Sequence, residues 1–441
     1  MTTSQTITLV VLAAVVLALI WDRLRSDVVA LTGAAVLLMT GVVRPVDIQG
    51  AFASPAIIAL AALFVIAYAL ELSGLLDAAI RGVTSLCRFI GRAGLWIIIA
   101  LAGGASAFLN NTPIVVLSAP VVRDVATSLG LSPKRFLIPL SYAAVLGGCC
   151  TLIGTSTNLL VNDMAANAGQ PRFGMFEISA VGLWVAAAGG LYLLLFSGRL
   201  IGTERPEPKA ETDPAQPPQA LAGEPGLAGG QLGSALPFAE QRRLRPLKAL
   251  VALAVFVGVV ALAALEVAPI AACAFSGAVL LILLRVITAD EAYRGLRPDV
   301  LMLIAGMVVL GTALDETGLA GAATTALIGS LEGISPMMAL IILYGVTLFA
   351  TELLSNATVA VLLTPVAVSF AETLHVSPRP FLVAVMIAGS AAFATPFGYQ
   401  TNVIVYQVGR YNYLDFVRVG IPLNLITWAV GVAAILIYFP F

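Results

Sequence analysis

Three polar side chains in a row, Asn110, Asn111 and Thr112, interrupt a long apolar stretch, and a proline follows them at once in AFLNNTPIVV. Amide and hydroxyl oxygens are ligands for hard cations such as sodium. A helix that begins at such a break presents partial positive charge, which attracts anions. The residue types and their spacing therefore indicate ion binding.

The same motif occurs a second time in the chain. ASAFLNNTPIVVLSAPV aligns with ATELLSNATVAVLLTPV, so that Asn111 falls on Asn356. Further along, IGTSTNLLV aligns with FGYQTNVIV, which pairs Gly154 with Gly398. Two shorter matches, Ser132-Pro133 with Ser377-Pro378 and ALELSGLL with ALDETGLA, keep the same order. Matches in one order, with a slip of only one residue, indicate an internal repeat.

The composition places these motifs in a membrane. Of the 441 residues, 60% are hydrophobic and 11% are charged, against roughly 25% charged in an average soluble domain. Apolar runs long enough to cross a hydrocarbon core of about 30 Å recur along the chain. The net charge of −1 indicates no nucleic-acid partner. The sequence contains no paired histidines, activated nucleophile or acid pair typical of an enzyme, so we expect no cofactor beyond coupling ions.

A polar segment divides the chain into two hydrophobic halves. Residues 202–248 are rich in proline, glycine and charge and have no helical period, which predicts a disordered linker. Residues 1–201 and 249–441 then form two repeats, each with five crossings and one re-entrant hairpin, with tips near 110–112 and 355–358. The predicted fold is an all-α polytopic membrane protein.

The positions of lysine and arginine set the predicted orientation. With the linker in the cytoplasm, most of these residues fall on the cytoplasmic side, and only Arg44, Arg172 and Arg379 fall outside. Because each half crosses the membrane an odd number of times, the two repeats are inverted relative to each other and both termini lie outside. Inverted repeats are characteristic of secondary transporters.

The two tips and two interrupted crossings predict a single site near the middle of the membrane. Non-helical backbone at that depth is tolerated only where protein or a wet cavity surrounds it. The GTSTN and ATPFGYQTN segments are therefore interpreted as breaks in crossing helices. Tips and breaks together would offer hydroxyls, carbonyls and helix N-termini to an anion and a cation.

Plainer interpretations stay open for the same residues. Small polar residues in membrane helices often only hydrogen-bond neighbouring helices. Glu352 lies one turn before the second tip. It is either a proton or cation relay, since acids within membranes are usually functional, or a structural carboxylate bonded to exposed backbone amides.

At these residues the sequence resembles the divalent anion:sodium symporter family, the citrate-transporter-like branch of the ion transporter superfamily. That family has a Ser-Asn-Thr triplet at each hairpin tip, with unwound Gly-Thr and Thr-Pro stretches in two crossing helices. The resemblance covers nearly the whole chain outside the linker. It implies sodium-coupled symport of a small divalent anion, such as a dicarboxylate, citrate or sulfate. It also implies a homodimer in the bacterial cytoplasmic membrane, with the hairpin-bearing part moving as an elevator.

The resemblance also implies roles for individual residues. It assigns a first sodium site to Ser106, Asn110, Asn111 and the backbone of Gly154. It assigns a second sodium site to Thr351, Asn356 and the backbone of Leu354 and Ala394. The anion is assigned to Asn111, Thr112, Asn356, Thr395 and Pro396, with Thr358 as a further candidate.

Two departures from the family pattern leave the substrate open. Asn110 replaces the serine of the first triplet, and Ala357 replaces the threonine of the second, with Thr358 next in the sequence. The lost hydroxyl removes an implied anion contact, so a tetrahedral oxyanion such as sulfate competes with dicarboxylates. The alternative function is an arsenite permease or sodium/proton antiporter of the same superfamily, which would use Glu352 as a proton carrier.

We expect the linker and the loop after the first interrupted crossing to lie on opposite membrane faces. A cysteine introduced at Ser234 should react with an impermeant thiol reagent only from the cytoplasmic side. A cysteine at Gln170, next to Gly169, should react only from outside. Labelling of both positions from the same face would contradict the inverted arrangement.

Overall fold

The protein is seen in a computed structural model that describes residues 2–441 apart from 22–23, 80–81, 83–89, 202–243, 320 and 323–333. Most of the predicted linker, including Ser234, lies outside the described residues. The described residues form helices and connecting turns, with no strand among them. The predicted all-helical class is therefore confirmed.

The described part of the first half contains nine helices. In chain order they are α1 (Thr3–Trp21), α2 (Ser26–Met39), α3 (Pro45–Phe52), α4 (Pro55–Leu72), α5 (Arg92–Ser106), α6 (Asn111–Ser128), α7 (Lys134–Gly148), α8 (Ser156–Asn167) and α9 (Ser179–Leu200). Local chemistry explains individual boundaries. The backbone of α4 begins at a proline, and Ser54 accepts a hydrogen bond from Ala56 N–H at its N-terminus.

The described part of the second half repeats this order with nine further helices. They are α10 (Pro246–Ala264), α11 (Ile270–Leu283), α12 (Ala289–Gly295), α13 (Pro298–Glu316), α14 (Pro336–Ala350), α15 (Asn356–Leu374), α16 (Arg379–Ser390), α17 (Gln400–Gly409) and α18 (Tyr413–Tyr438). In each half a helix pair encloses a polar tip, and a pair of shorter helices is separated by a non-helical break. The predicted tips and breaks therefore fall where helices are interrupted.

Six helical spans in the described part of the chain are long and apolar enough to cross a membrane, judged by length and composition. They are Pro45–Leu72, Ser179–Leu200, Pro246–Ala264, Pro298–Glu316, Asn356–Leu374 and Tyr413–Tyr438. Six further apolar helices are shorter, and they include α5 and α14, which lead into the two tips. The membrane class is confirmed, and the number of crossings stays a prediction.

Helices of one half pack against helices of the other half. The helix α2 lies along α13, α4 lies along α11, and α9 lies along α18. At the α2–α13 contact the backbones approach closely, because a Cβ added at Gly306 would lie only 2.8 Å from the carbonyl carbon of Ala30. The apolar core is thus shared between the halves, and each half needs the other to cover its buried face.

Glycines allow two long helices to lie directly against the breaks. A Cβ added at Gly182 of α9 would collide with the carbonyl oxygen of Cys149. A Cβ added at Gly420 of α18 would collide with the carbonyl oxygen of Phe393. The repeat alignment pairs Cys149 with Phe393. The same kind of contact therefore supports each break at the same position.

A buried carboxylate connects the first interrupted pair of helices to α4. Asp163 on α8 is 1% exposed and accepts a hydrogen bond from Ser54 Oγ at the start of α4. Arg172 approaches the same carboxylate with Nη1 at 3.2 Å and Nη2 at 3.3 Å. A charge can be buried here because it is both paired and hydrogen-bonded.

We expect Asp163→Ala to lower the melting temperature of the detergent-solubilised protein. The change leaves the buried Ser54 hydroxyl without its acceptor, which costs on the order of 1–3 kcal/mol. The matched control is Asp299→Ala, which removes the partner of Arg297 from an ion pair that solvent reaches on both sides. Equal shifts for the two variants would contradict a structural role for the Asp163 cluster.

Candidate functional site

The first tip is held together by its own polar side chains. Asn110 precedes α6, and its Oδ1 accepts a hydrogen bond from Thr112 N–H at 3.1 Å. Ser106, at the end of α5, donates from Oγ to Asn111 Oδ1. Ser106 and Asn111 are both buried. The asparagine that the sequence places at the tip is therefore fixed by a hydroxyl from the preceding helix.

The second tip repeats this arrangement. Ser355 precedes α15 and accepts a hydrogen bond from Thr358 N–H at 3.2 Å. Thr351 donates from Oγ1 to Asn356 Oδ1 at 2.7 Å, and the same hydroxyl lies 2.9 Å from the carbonyl oxygen of Gly389. The hydroxyl-to-asparagine bond of the first tip therefore has its counterpart at the same repeat position in the second tip.

The two breaks are also held in matching ways. In the first, Asn158 Nδ2 donates to the carbonyl oxygen of Thr151 at 3.0 Å. In the second, Asn402 Nδ2 donates to the carbonyl oxygens of Ala392 at 2.9 Å and Thr395 at 3.2 Å. An asparagine on the helix that follows each break thus bonds carbonyl oxygens within that break, as a buried backbone requires.

Close packing at the first break excludes side chains larger than glycine. A Cβ added at Gly154 would collide with the carbonyl oxygen of Gly148. A Cβ added at Gly148 would lie 3.0 Å from Asn111 Oδ1. These contacts bring the predicted sodium-site residue Gly154 close to the first tip.

Each tip is joined to the break of its own half. Thr151 Oγ1 donates to the carbonyl oxygen of Ala107, and Thr395 Oγ1 lies 3.2 Å from the carbonyl oxygen of Glu352. The repeat alignment pairs Thr151 with Thr395 and Ala107 with Glu352. The hydrogen bond to the backbone is therefore common to both halves, and the carboxylate of Glu352 is an addition in the second half.

The Glu352 carboxylate accepts hydrogen bonds from the backbone N–H groups of the second break. Glu352 Oε1 accepts hydrogen bonds from the backbone N–H groups of Phe393 at 2.8 Å and Ala394 at 2.7 Å. Glu352 Oε2 accepts from the backbone N–H and the hydroxyl of Thr395, both at 2.9 Å. Asn424 Nδ2 on α18 donates to Oε1 at 2.8 Å. This geometry is that of a structural carboxylate bonded to exposed amides, the second of the two sequence-based interpretations.

Side-chain contacts connect the halves at the site, and three of them join the first tip or the first break to the second half. Asn111 Nδ2 donates to Tyr399 Oη at 2.8 Å, and Thr112 Oγ1 donates to Gln400 Oε1 at 3.2 Å. The third contact joins the hydroxyls of Thr155 and Ser390 at 3.2 Å. The tip of the first half therefore meets the break of the second half.

The residues that sequence reasoning missed lie mostly in this contact region. They are Tyr399, Gln400, Ser390 and Asn424, together with Ser141, whose Oγ lies 2.8 Å from Thr401 Oγ1 and 2.7 Å from Asn402 Oδ1. A signal existed for two of them, because aligning TSTN with YQTN sets Tyr399 and Gln400 opposite the polar pair Thr155 and Ser156. No sequence signal identified the partners on α16, α7 and α18.

The remaining predicted ligands have defined places. Thr358 is buried, and its hydroxyl lies 2.7 Å from Ser355 Oγ. Asn110 is occupied as the capping residue of α6. Ala394 and Thr395 lie on the Glu352 carboxylate. The side chains of Leu354 and Pro396 are apolar, so Leu354 could contact a cation only through its backbone carbonyl oxygen, and Pro396 could contact an anion only through its ring.

Two amide oxygens at the site have no hydrogen-bond partner among the described residues. They are Oδ1 of Asn158 in the first half and Oδ1 of Asn424 beside Glu352, and both side chains are fully buried. A buried oxygen without a donor is costly unless a water or a cation contacts it. None of the hydrogen bonds described above at the tips and breaks involves a lysine, arginine or histidine.

The chain matches the family model described as Citrate transporter over residues 16–377. It is 26% identical to the uncharacterized transporter sll0640 of Synechocystis sp., over 98% of this chain and 97% of that protein. It is 46% identical to the probable sodium/sulfate cotransporter 3 of Chlamydomonas reinhardtii, over 20% of this chain and 11% of that protein. Identity to the sodium-dependent dicarboxylate transporter SdcS of Staphylococcus saprophyticus is 28%, over 34% of this chain and 28% of that protein.

A solved structure has the same general fold. The YdaH transporter of Alcanivorax borkumensis superposes with a TM-score of 0.61 at 15% sequence identity, covering 89% of this chain and 88% of that chain. At this identity the likeness concerns the fold alone. The resemblance predicted from the tips and breaks is confirmed by the family match.

We expect Glu352→Gln to destabilise the protein and abolish its transport activity. Glutamine keeps only one acceptor oxygen, so its amide group would face a backbone N–H, and each lost charge-assisted bond costs on the order of 1–3 kcal/mol. The control is Glu372→Gln, at an exposed position of α15. The measurements are the melting temperature in detergent and uptake into proteoliposomes. A normal melting temperature with altered dependence on pH or cation would instead support the relay role.

Proposed function

The chain belongs to the citrate transporter family, and on that basis we propose that it is a secondary transporter that moves a divalent anion into the cell together with sodium. The observation that carries this proposal is the meeting of the first tip with the second break, through the Asn111–Tyr399 and Thr112–Gln400 hydrogen bonds. A site built jointly by two repeated halves is the arrangement found in secondary transporters.

The oxygen atoms at the tips and breaks support a cation site in each half. Hydroxyl, amide and backbone carbonyl oxygens are the ligands that a hard monovalent cation accepts. The unpartnered oxygens of Asn158 and Asn424 add one buried acceptor to each half. We propose that the first sodium ion contacts Ser106, Asn110, Asn111 and Gly154, and the second contacts Thr351, Leu354, Asn356 and Ala394.

The proposed anion site combines uncharged donors with helix ends. The N-termini of α6 and α15 lie at the tips, where peptide dipoles favour negative charge. Because the hydrogen bonds at the site involve no basic side chain, bound sodium would supply most of the compensating charge. This dependence is the physical reason to propose coupled transport. The side chains or backbone proposed to contact the anion are those of Asn111, Thr112, Asn356, Thr358, Thr395 and Pro396.

Contacts at the helix ends support the proposed inversion. The start of α1 lies at the end of α13, because Gln5 Nε2 donates to the carbonyl oxygen of Thr317 at 3.0 Å. The start of α10 lies at the end of α4, because Arg245 N–H donates to the carbonyl oxygen of Ser73 at 2.9 Å. In the internal repeat α1 corresponds to α10 and α4 corresponds to α13, so the two contacts are equivalent. If α4 and α13 cross in opposite directions, then α1 and α10 start on opposite faces.

An asymmetry in the packing supports a transporter with two states. The helix α15 of the second tip packs along α13, whereas its counterpart α6 makes no comparable contact with α4 in the described residues. In a second state, in which the two halves exchange their roles, α6 would pack along α4 and α15 would no longer pack along α13. We therefore propose an elevator movement of the tips and breaks against α1–α4 and α10–α13. The proposed homodimer rests on the family resemblance.

The names of the relatives and the residue Ala357 support the proposed substrate class. One relative is named a sodium/sulfate cotransporter and another a sodium-dependent dicarboxylate transporter. The second tip has no hydroxyl at Ala357, and the hydroxyl of Thr358 is turned to Ser355. We propose that the transported species is a divalent oxyanion, either sulfate or a dicarboxylate.

The test is uptake of labelled sulfate and labelled succinate by proteoliposomes under an inward sodium gradient. Asn111→Ala and Asn356→Ala should abolish the sodium-dependent uptake seen with the unchanged protein, because each removes an oxygen and an amide donor from the site. Asn167→Ala, at an exposed position at the end of α8, should leave uptake unchanged. Normal uptake with normal half-saturation in both tip variants would overturn the proposed site.

A further inference from the structure

The side chains of Tyr399 and Gln400 retain hydrogen-bond donors at the meeting point of the two halves. Tyr399 Oη accepts from Asn111 Nδ2, so the phenolic hydrogen remains available to donate. Gln400 Oε1 accepts from Thr112 Oγ1, so the two hydrogens of Nε2 also remain. Gln400 is exposed, and Tyr399 is half-buried beside it.

This cluster exists only on one side of the internal repeat. The counterpart of Thr112 is Ala357, which has no hydroxyl, and the counterpart of Gln400 is Ser156. The counterpart of Tyr399 is Thr155, whose hydroxyl is directed to Ser390. Among the described residues, the side-chain hydrogen bonds that join the first tip to the second break therefore have no equivalent between the second tip and the first break.

The two breaks also differ in how the following helix begins. Thr155 caps α8 by accepting a hydrogen bond from Asn158 N–H at 3.3 Å. Tyr399 precedes α17, and no side chain caps that helix. The phenol group is too long to fold back onto its own first turn, so it extends to Asn111 instead. A bound oxyanion would be the missing partner for the first amides of α17.

We infer that Tyr399 and Gln400 determine the affinity and selectivity of this chain for its anion. An oxyanion entering the site replaces the hydrogen bond between Thr112 and Gln400. One of its oxygen-bearing groups then accepts from Thr112 Oγ1, Tyr399 Oη and Gln400 Nε2. The inference rests on the proposed function and assigns the anion-binding donors to the second break. The shared chemistry is a compact oxyanion group, which sulfate and a carboxylate of succinate both present.

Variants at these positions test the inference. Tyr399→Phe removes the phenolic donor, and Gln400→Glu replaces the amide donor by a negative charge while keeping an acceptor for Thr112. The matched controls lie on the same helix. They are Tyr406→Phe, at a half-buried position, and Gln407→Glu, at an exposed position. All four would be compared with the unchanged protein in sodium-driven uptake of labelled sulfate and labelled succinate.

We expect the half-saturation concentration of the preferred anion to rise about tenfold or more in Tyr399→Phe and further in Gln400→Glu, because a bond to a charged ligand is lost. Sodium dependence at saturating anion and the melting temperature should stay as in the unchanged protein. A rise for one anion only would identify the preferred oxyanion. Half-saturation values equal to those of the controls for both anions would overturn the inference.

The result separates this inference from the proposed function. If the unchanged protein takes up neither anion under a sodium gradient, the proposed function fails, and the inference fails with it. If the unchanged protein transports an anion and the variants at Tyr399 and Gln400 behave as their controls, only the inference fails. A fall in maximal rate without a change in half-saturation would also overturn it, since that result indicates a positional effect on movement and not a loss of anion contacts.

Discussion

The satisfaction of backbone polar groups inside the membrane is the constraint on which the rest of the structure depends. Each tip and each break releases amides and carbonyls from the helical pattern, and water is not freely available there to bond them. Asn110, Thr151, Asn158 and Asn402 meet this requirement with side chains placed within a few residues of the interruption. The polar motifs are thus needed first to bond the backbone of the tips and breaks. A binding site can form there because those backbone groups are satisfied.

The same constraint explains why the halves are alike in backbone contacts and different in chemistry. The threonine-to-carbonyl bond between break and tip occurs in both halves. The second half adds the Glu352 carboxylate, which accepts three backbone N–H groups at its break. In the first half the corresponding residue is Ala107. Duplication of the scaffold with divergence of a few side chains makes the proposed ion site different in its two halves.

The sequence predicted the parts of this arrangement that depend on local chemistry. Prolines and short polar runs in apolar stretches located the tips and breaks, because such residues interrupt helices. The contacts of Tyr399, Gln400 and Asn424 were not predictable, because they join segments far apart in the chain. The buried Asp163 was missed for the same reason, since its partner Ser54 lies 109 residues away.

We propose that anion and sodium share one site and move together, and coupling is reciprocal between ligands that do so. The most direct measurement is uptake of labelled sodium into proteoliposomes containing the purified protein, driven by an inward gradient of sulfate or succinate without a sodium gradient. Coupled movement predicts that sodium accumulates with the anion and does not accumulate without it. Sodium entry that is independent of the anion, or proton movement in its place, would contradict sodium-coupled transport.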